Sequence, residues 1–281
     1  RGWRPPWDSS AFWVLGSLPG PKGHFLRPSP GHLSPGPPPR LLLGMELGLL
    51  SERGGLSREN DPFIWDPIKE SLEGACKRLL ALYDRVLLLM TRPPFGAHLA
   101  LAEALRERYP GRILLHATSL FGPGLQALHE RAEELLGRAD PEDVLAELRR
   151  VEREGRLYLA SADPEALGRQ GWLPPGGKLV MRLGFHALFA LEGERLRLPP
   201  LPVPEGQVPA AFAEFWGRAF AGRPVRAYLN LGKTAPPSWR RALEEGLKAN
   251  LTLQKARLSP LPQDLQERLG AKSLLGFAYP L

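Results

Sequence analysis

Residues 84–97 read Asp84-Arg85-Val86-Leu87-Leu88-Leu89-Met90-Thr91-Arg92-Pro93-Pro94-Phe95-Gly96-Ala97. Five unbroken apolar residues are too few for a helix of ordinary length, and they stop at a Thr-Arg-Pro-Pro loop. Such a run predicts a strand buried on both faces, over Arg85–Met90, as parallel sheets require. Upstream, Asp66-Pro67 has the chemistry of an N-cap followed by a first-turn proline, predicting a helix to about Tyr83. Its apolar stripe is Ile68, Leu72, Ala75, Leu79 and Leu82, with Cys76 beside it as a buried, inert thiol. Downstream come a helix from about Ala97 to Arg108, a strand Arg112–His116, a loop Ala117–Pro123 and a helix Gly124–Leu136. A second Asp-Pro pair, Asp140-Pro141, opens another helix, followed by strand Arg156–Ala160 and a short helix capped by Asp163-Pro164. Strand alternating with helix predicts an α/β fold on a parallel sheet covered on both faces.

After Pro175 the rhythm changes. Phe185–Leu191, Glu192-Gly193 and Glu194–Leu198 read as a hairpin with a glycine-containing turn. A Pro-rich connection, 199–204, leads to a helix Val208–Phe220, a strand Val225–Leu231 and a helix Pro237–Ala249. Strand Leu251–Ala256, helix Pro262–Leu269 and strand Ser273–Tyr279 complete the chain. The expected organisation is an irregular or misassigned extension over 1–44, a parallel-sheet α/β domain over 45–165, and a smaller mixed α+β domain over 166–281.

Composition narrows the function classes. The chain has 281 residues, 43% of them hydrophobic and 24% charged, ordinary proportions for a globular protein. Its single cysteine excludes an intramolecular disulfide. The most apolar stretch near the start, Leu41–Leu50, is too short to cross a bilayer and contains Glu46. No signal-peptide pattern precedes it, and a cytoplasmic location is expected. The net charge is +7. Residues 1–44 supply +4 of it, with five basic residues against Asp8 alone, together with ten of the 31 prolines and three of the seven tryptophans. Elsewhere both signs interleave along helices, the pattern of a solvated face, so no nucleic-acid partner is expected.

Catalytic signatures are missing. The glycines of 171–177 lack the Lys-Ser/Thr ending of a phosphate loop, one cysteine cannot build a zinc site, and no Ser lies in a nucleophile elbow. His98, His116 and His186 read as structural or surface residues, and no metal or cofactor is expected. What remains is position: open parallel sheets bind ligands beyond the carboxyl ends of their strands. That edge carries Thr91-Arg92 after one strand and Thr118-Ser119 after the next. Hydroxyls and helix-start N–H groups suit an anionic head group, and equally satisfy loop backbone.

These segments, taken in order, resemble the DegV family of fatty-acid-binding proteins. Ile64-Trp65-Asp66-Pro67-Ile68 occupies the place of that family's Thr-Ser-Gln-Pro-Ser segment. Thr91-Arg92-Pro93-Pro94-Phe95-Gly96-Ala97 is similar to its Ser-Ser-x-Leu-Ser-Gly-Thr loop, and His116-Ala117-Thr118-Ser119 to the stretch after the next strand. Leu167–Leu173 resembles the Leu-x-x-Gly-Gly-Arg-Ile turn, and Phe185–Gly193 the Lys-Pro-Ile-Leu strand with its glycine turn. The agreement runs from about Leu41 to Leu281. Asp8-Ser9-Ser10-Ala11 is similar to the family's opening Asp-Ser-Thr-Ala-Asp, at altered spacing. Several positions depart from the pattern. Ile64 and Trp65 replace hydroxyls, Thr91 alone survives of the Ser-Ser pair, Gln170-Gly171-Trp172 replaces Gly-Gly-Arg, and Leu269–Ser273 lacks the family's C-terminal His.

The resemblance implies a carrier without catalytic residues. A fatty acid would be its ligand, held by Thr91, Arg92, Gly96 and Ser119 between the domains with its tail in an apolar pocket. It further implies a fatty-acid kinase as partner and transient contact with membrane surfaces. A degenerate relative that binds another amphiphile, or no lipid, is the competing expectation. A phosphotransferase or hydrolase on the same scaffold is another, and it lacks a phosphate loop and a carboxylate cluster.

Overall fold

The computed structural model describes residues 45–53, 63–192, 195–196 and 201–281. The expected extension over 1–44, with Asp8–Ala11, lies outside them. The first sheet comprises β1 (Met45–Glu52), β2 (Ile64–Trp65), β3 (Tyr83–Thr91) and β4 (Ile113–Thr118), all parallel in the order β2-β1-β3-β4. Alternation along β3 sends Val86, Leu88 and Met90 to one face and Leu87 and Leu89 to the other, where each set joins a different apolar core. On the first face pack α1 (Leu72–Leu80) and α2 (Leu99–Arg108). On the second lie α3 (Pro123–Leu135) and α4 (Pro141–Glu154).

The far side of α3 and α4 meets a second, mixed sheet. It is built from β5 (Arg156–Ser161), β6 (Phe185–Glu192), β7 (Arg195–Leu196), β8 (Leu201–Pro204), β9 (Pro224–Leu231), β10 (Thr252–Pro260) and β11 (Ser273–Pro280). The strand order is β10-β9-β11-β5-β6-β7, with β8 also paired to β6. Helices α5 (Pro164–Arg169), α6 (Gly177–Arg182) and α9 (Gln263–Leu269) sit near its connections, while α7 (Val208–Phe220) and α8 (Ser238–Asn250) cover its outer face. The α/β architecture, with a parallel first sheet and a mixed second one, is as expected. No helix among the described residues is long and apolar enough to cross a membrane.

Four expectations are corrected. The first helix begins at Leu72, not Asp66. Asp66 is held in a turn, its carboxylate paired with Arg53 and accepting the Ile68 N–H, its carbonyl accepting from Lys69 and Glu70. Ser71 caps the helix instead, accepting the Gly74 N–H at 3.1 Å. Ile68 is therefore 91% exposed, whereas Leu72, Ala75, Cys76 and Leu79 are buried as expected. Second, Arg156–Ala160 does not extend the parallel sheet: β5 pairs antiparallel with β11 and β6. Its partner β11 lies more than a hundred residues on, beyond what local periodicity can report. Third, β1 is a central strand where the sequence offered only an apolar run. Fourth, the Pro-rich connection contains β8, antiparallel to β6 from Leu201 to Pro204, and the second sheet carries seven strands to the first sheet's four.

Candidate functional site

At the carboxyl edge of the first sheet, the order β2-β1-β3-β4 takes the chain from β1 to β2 on one side and from β3 to β4 on the other, so the strand order reverses between β1 and β3. Open parallel sheets bind ligands at such a reversal. The loop after β3 lies beside it. Thr91 is buried; its Oγ1 donates to the Leu120 carbonyl at 3.4 Å and its N–H to Glu52 Oε2 at 3.1 Å. Arg92 is exposed, its N–H on the Thr118 carbonyl at 2.7 Å and its Nε on the Ala117 carbonyl at 3.2 Å. Those bonds tie the β3 loop to the end of β4. Gly96 closes the loop with an N–H bond to the Arg92 carbonyl at 3.0 Å. Any Cβ at Gly96 would collide with the Thr91 carbonyl group, so the chain can turn this tightly only with glycine.

Ser119 follows β4, directly across from this loop because Thr91 and Thr118 are register partners. It is half-buried, and its N–H donates to Glu152 Oε1 at 3.0 Å. The same oxygen accepts from Thr118 Oγ1 at 2.8 Å, while His116 Nε2 lies 3.2 Å from Glu152 Oε2. Burial pushes the Glu152 carboxyl up, but the bonds from His116, Ser119 and Thr118 outweigh it and hold it below its ordinary range. Thr91 at the end of β3, Arg92 and Gly96 on the loop after it and Ser119 after β4 thus lie along the same edge of the sheet.

Several polar residues at this edge escaped the sequence reading. Ser51 Oγ lies 2.7 Å from His129 Nδ1, both buried, and His129 Nε2 is 3.4 Å from Glu133 Oε1. The Ser-His-Glu order suggests a nucleophile, but the hydroxyl is sealed inside the fold and serves to join β1 to α3. Glu52 is buried beside His98, and burial raises its carboxyl above the ordinary value, opposed by the Thr91 N–H. Asn230, on β9 of the second sheet, points towards Gly122 at the start of α3. Its Oδ1 would lie 3.4 Å from a Cβ placed on Gly122, whose φ of +52° favours glycine. This oxygen is buried with no hydrogen-bond partner among the described residues.

Apolar side chains fill the adjoining space. Phe95 stacks on Phe121 with ring centroids 3.5 Å apart, Trp172 lies 5.6 Å from Phe95, and Phe189 lies 6.1 Å from Trp172. Leu265, Leu269 and Leu275 continue the same core into the second sheet. The arrangement is a polar edge opening onto an apolar layer between two sheets. It is suited to a ligand with one polar end and a long hydrocarbon body. No group of three or more potential metal ligands occurs among the described residues.

The same architecture occurs in solved structures. A fatty-acid-binding DegV family protein from Thermus thermophilus superimposes with a TM-score of 0.72 at 19% identity, covering 84% of this chain and 100% of its own. The chain has the DegV fold. A DegV family protein from Corynebacterium glutamicum matches with a TM-score of 0.71 at 15% identity, over 84% of this chain and 97% of that one. A Streptococcus pneumoniae fatty acid kinase B3 protein, solved loaded with linoleic acid, matches with a TM-score of 0.62 at 15% identity, over 84% and 99%. No family model and no curated protein matches the sequence. In this fold the loop 91–97 follows β3, a central strand of the parallel sheet. Trp65 is buried and donates its indole N–H to the Glu70 carbonyl at 2.9 Å. It fills the sheet edge instead of offering a donor to a ligand.

Proposed function

We propose that this protein is a non-catalytic carrier of fatty acids, with the acyl head group at the edge formed by Thr91, Arg92, Gly96 and Ser119 and the tail in the apolar layer between the sheets. The observation that carries the reading is the fold shared over 84% of the chain with proteins described as binding fatty acids. The chemistry agrees. Each buried CH₂ contributes about 0.8 kcal/mol, so a long tail supplies most of the affinity and tolerates a head-group site with few donors. Arg92, exposed at the mouth of the edge, is able to make a charge-assisted bond to a carboxylate. A fatty-acid kinase acting on the exposed head group would be the functional partner.

The test is lipid mass spectrometry on protein purified from a heterologous host, followed by titration with fatty acid. Co-purified acyl chains, or saturable uptake at one site per chain, are the expected results. Protein that arrives empty and takes up nothing ends the carrier reading. It would leave a scaffold that has lost its ligand along with the hydroxyls replaced by Ile64 and Trp65.

A further inference from the structure

The way inward from the polar edge is closed on one side of Phe95 and open on the other. Phe95 sits between Arg92 and Gly96 on the β3 loop, and Phe121 follows Ser119 by two residues, so the same two loops carry the polar groups and these rings. The rings lie 3.5 Å apart at their centroids, with 11° between their planes. A hydrocarbon chain needs about 3.5–4 Å between its carbons and the atoms on either side, so none passes between them. Beside Phe121 the start of α3 is packed as tightly, for a Cβ on Gly122 would meet the side chains of Leu275 and Leu265. A tail cannot run straight from Ser119 into the core.

The other side of Phe95 differs. Trp172 stands 5.6 Å away with its plane tilted by 49°, so these two rings form a wedge instead of a stack. Phe95, Trp172 and Leu173 are each half-buried, and each packs against the core that holds Phe189 and Met181. Trp65, Trp216 and Trp239 are buried, each with its indole N–H on a backbone carbonyl. Trp172 is the one tryptophan among the described residues that is not buried. Apolar surface left in water beside a polar edge is surface that a hydrocarbon tail gains by covering.

The two walls of the wedge are also held differently. Loop 91–97 is tied to three other elements. The Thr91 N–H reaches Glu52 of β1, Arg92 reaches the Thr118 and Ala117 carbonyls of β4, and Arg268 of α9 donates to the Pro94 carbonyl at 2.7 Å. Trp172 lies on the turn between α5 and α6. There the Trp172 N–H bonds to the Leu167 carbonyl at 3.1 Å and the Gly171 N–H to the Gly168 carbonyl at 3.0 Å, both within a few residues along the chain. Gly171 and Gly176 flank it with φ of +70° and +80°. Phe95 is the fixed wall, and Trp172 is the one whose bonds are local.

We propose that the ligand's tail leaves the polar edge between Phe95 and Trp172 and runs along the indole face towards Phe189, whose ring lies 6.1 Å from that of Trp172. This rests on the carrier reading and deepens it, by assigning the residues that recognise the near part of the tail and the class of molecule they admit. The wedge takes a single hydrocarbon chain and refuses a fused-ring amphiphile, even one with the same carboxylate.

The experiment titrates the full chain and its Trp172→Phe and Trp172→Ala variants with octadecanoic acid and with 6,7-dibromooctadecanoic acid, reading calorimetry and tryptophan emission in parallel. Bromine quenches an indole only at contact. The wild type is expected to bind both acids and to lose emission with the brominated one alone. Trp172→Phe keeps a ring, so it should bind both within about threefold of the wild type while most of the quenching disappears; that difference isolates this indole among the seven tryptophans. Trp172→Ala should bind octadecanoic acid about tenfold more weakly, as the loss of an apolar wall implies. Deoxycholate at equal concentration should displace neither acid. Quenching that persists in Trp172→Phe, or a wild type that binds the brominated acid without quenching, overturns the proposal and leaves the carrier reading standing. Displacement by deoxycholate, or full affinity in Trp172→Ala, does the same. If neither acid binds any of the three proteins, the carrier reading itself fails, and this inference with it.

Discussion

His186 offers a direct reading of how burial controls a titratable group. It lies on β6, almost fully buried, with neither ring nitrogen hydrogen-bonded and the Trp239 ring 5.2 Å away. Burial pushes its pKa down from about 6.5 to about 4; nearby Glu205 pulls the other way and Lys272 adds to the fall. The sign follows from proton counting. Between those values the unfolded chain binds the proton and the folded chain does not, so acid favours unfolding. The contribution is absent above the ordinary pKa, grows as pH falls through the window, and saturates below the folded pKa. Its full size is about 3 kcal/mol, at 1.36 kcal/mol for each unit of pKa difference. At pH 5 about 2 kcal/mol of it is realised, relative to pH 7.5. Denaturant unfolding at those two pH values, for the wild type and His186→Leu, tests this. The variant should lose about 2 kcal/mol less than the wild type between pH 7.5 and pH 5, and other groups cancel in that difference. Equal losses in the two proteins would mean that His186 is charged or solvated in the fold, and the account of its burial would be wrong.

Two further outcomes follow from close contacts. Gly96→Ala should destabilise the fold by about 1–3 kcal/mol, as overpacking against fixed backbone does, and weaken acyl binding as the Thr91 loop shifts; thermal melting and ligand titration read the two effects. Unchanged melting would show that the loop yields freely. Glu130 of α3 is buried and receives Tyr228 at 3.2 Å, Lys255 at 2.8 Å and Arg257. Glu130→Gln should cost about 2 kcal/mol in denaturant unfolding, below the usual loss for a broken buried pair because both cations are partly exposed.

How far the residues alone disclosed this molecule varies with the kind of signal. Helix α7 runs over the residues its apolar pattern predicted, and Val86–Met90 was recognisable as a strand because both its faces are covered. β1 was harder: Met45–Glu52 mixes Glu46, Gly48 and Ser51 into its apolar residues, and its burial depends on helices up to ninety residues away. The direction of β5 could not be read at all, since a six-residue strand looks the same whichever way its partner runs. The loop after β3 was legible from the break in the apolar run at Thr91-Arg92-Pro93-Pro94. Asn230 was not, because it approaches Gly122 only when the second sheet closes over α3. Glu130 looked like part of a solvated helix face; pairing with β10 is what allows it inside.

Helix α3 has one more consequence. Two adjacent residues on it hold opposite sheets: His129 bonds to Ser51 of β1, and Glu130 to Lys255 and Arg257 of β10. Its apolar residues likewise contribute to a single core containing Leu47 and Leu89 from one sheet and Tyr228 and Phe277 from the other. Neither sheet can shed this helix without exposing its own inner face. The chain's two halves therefore share their cooperativity: they melt together, and neither half expressed alone would keep a closed interior.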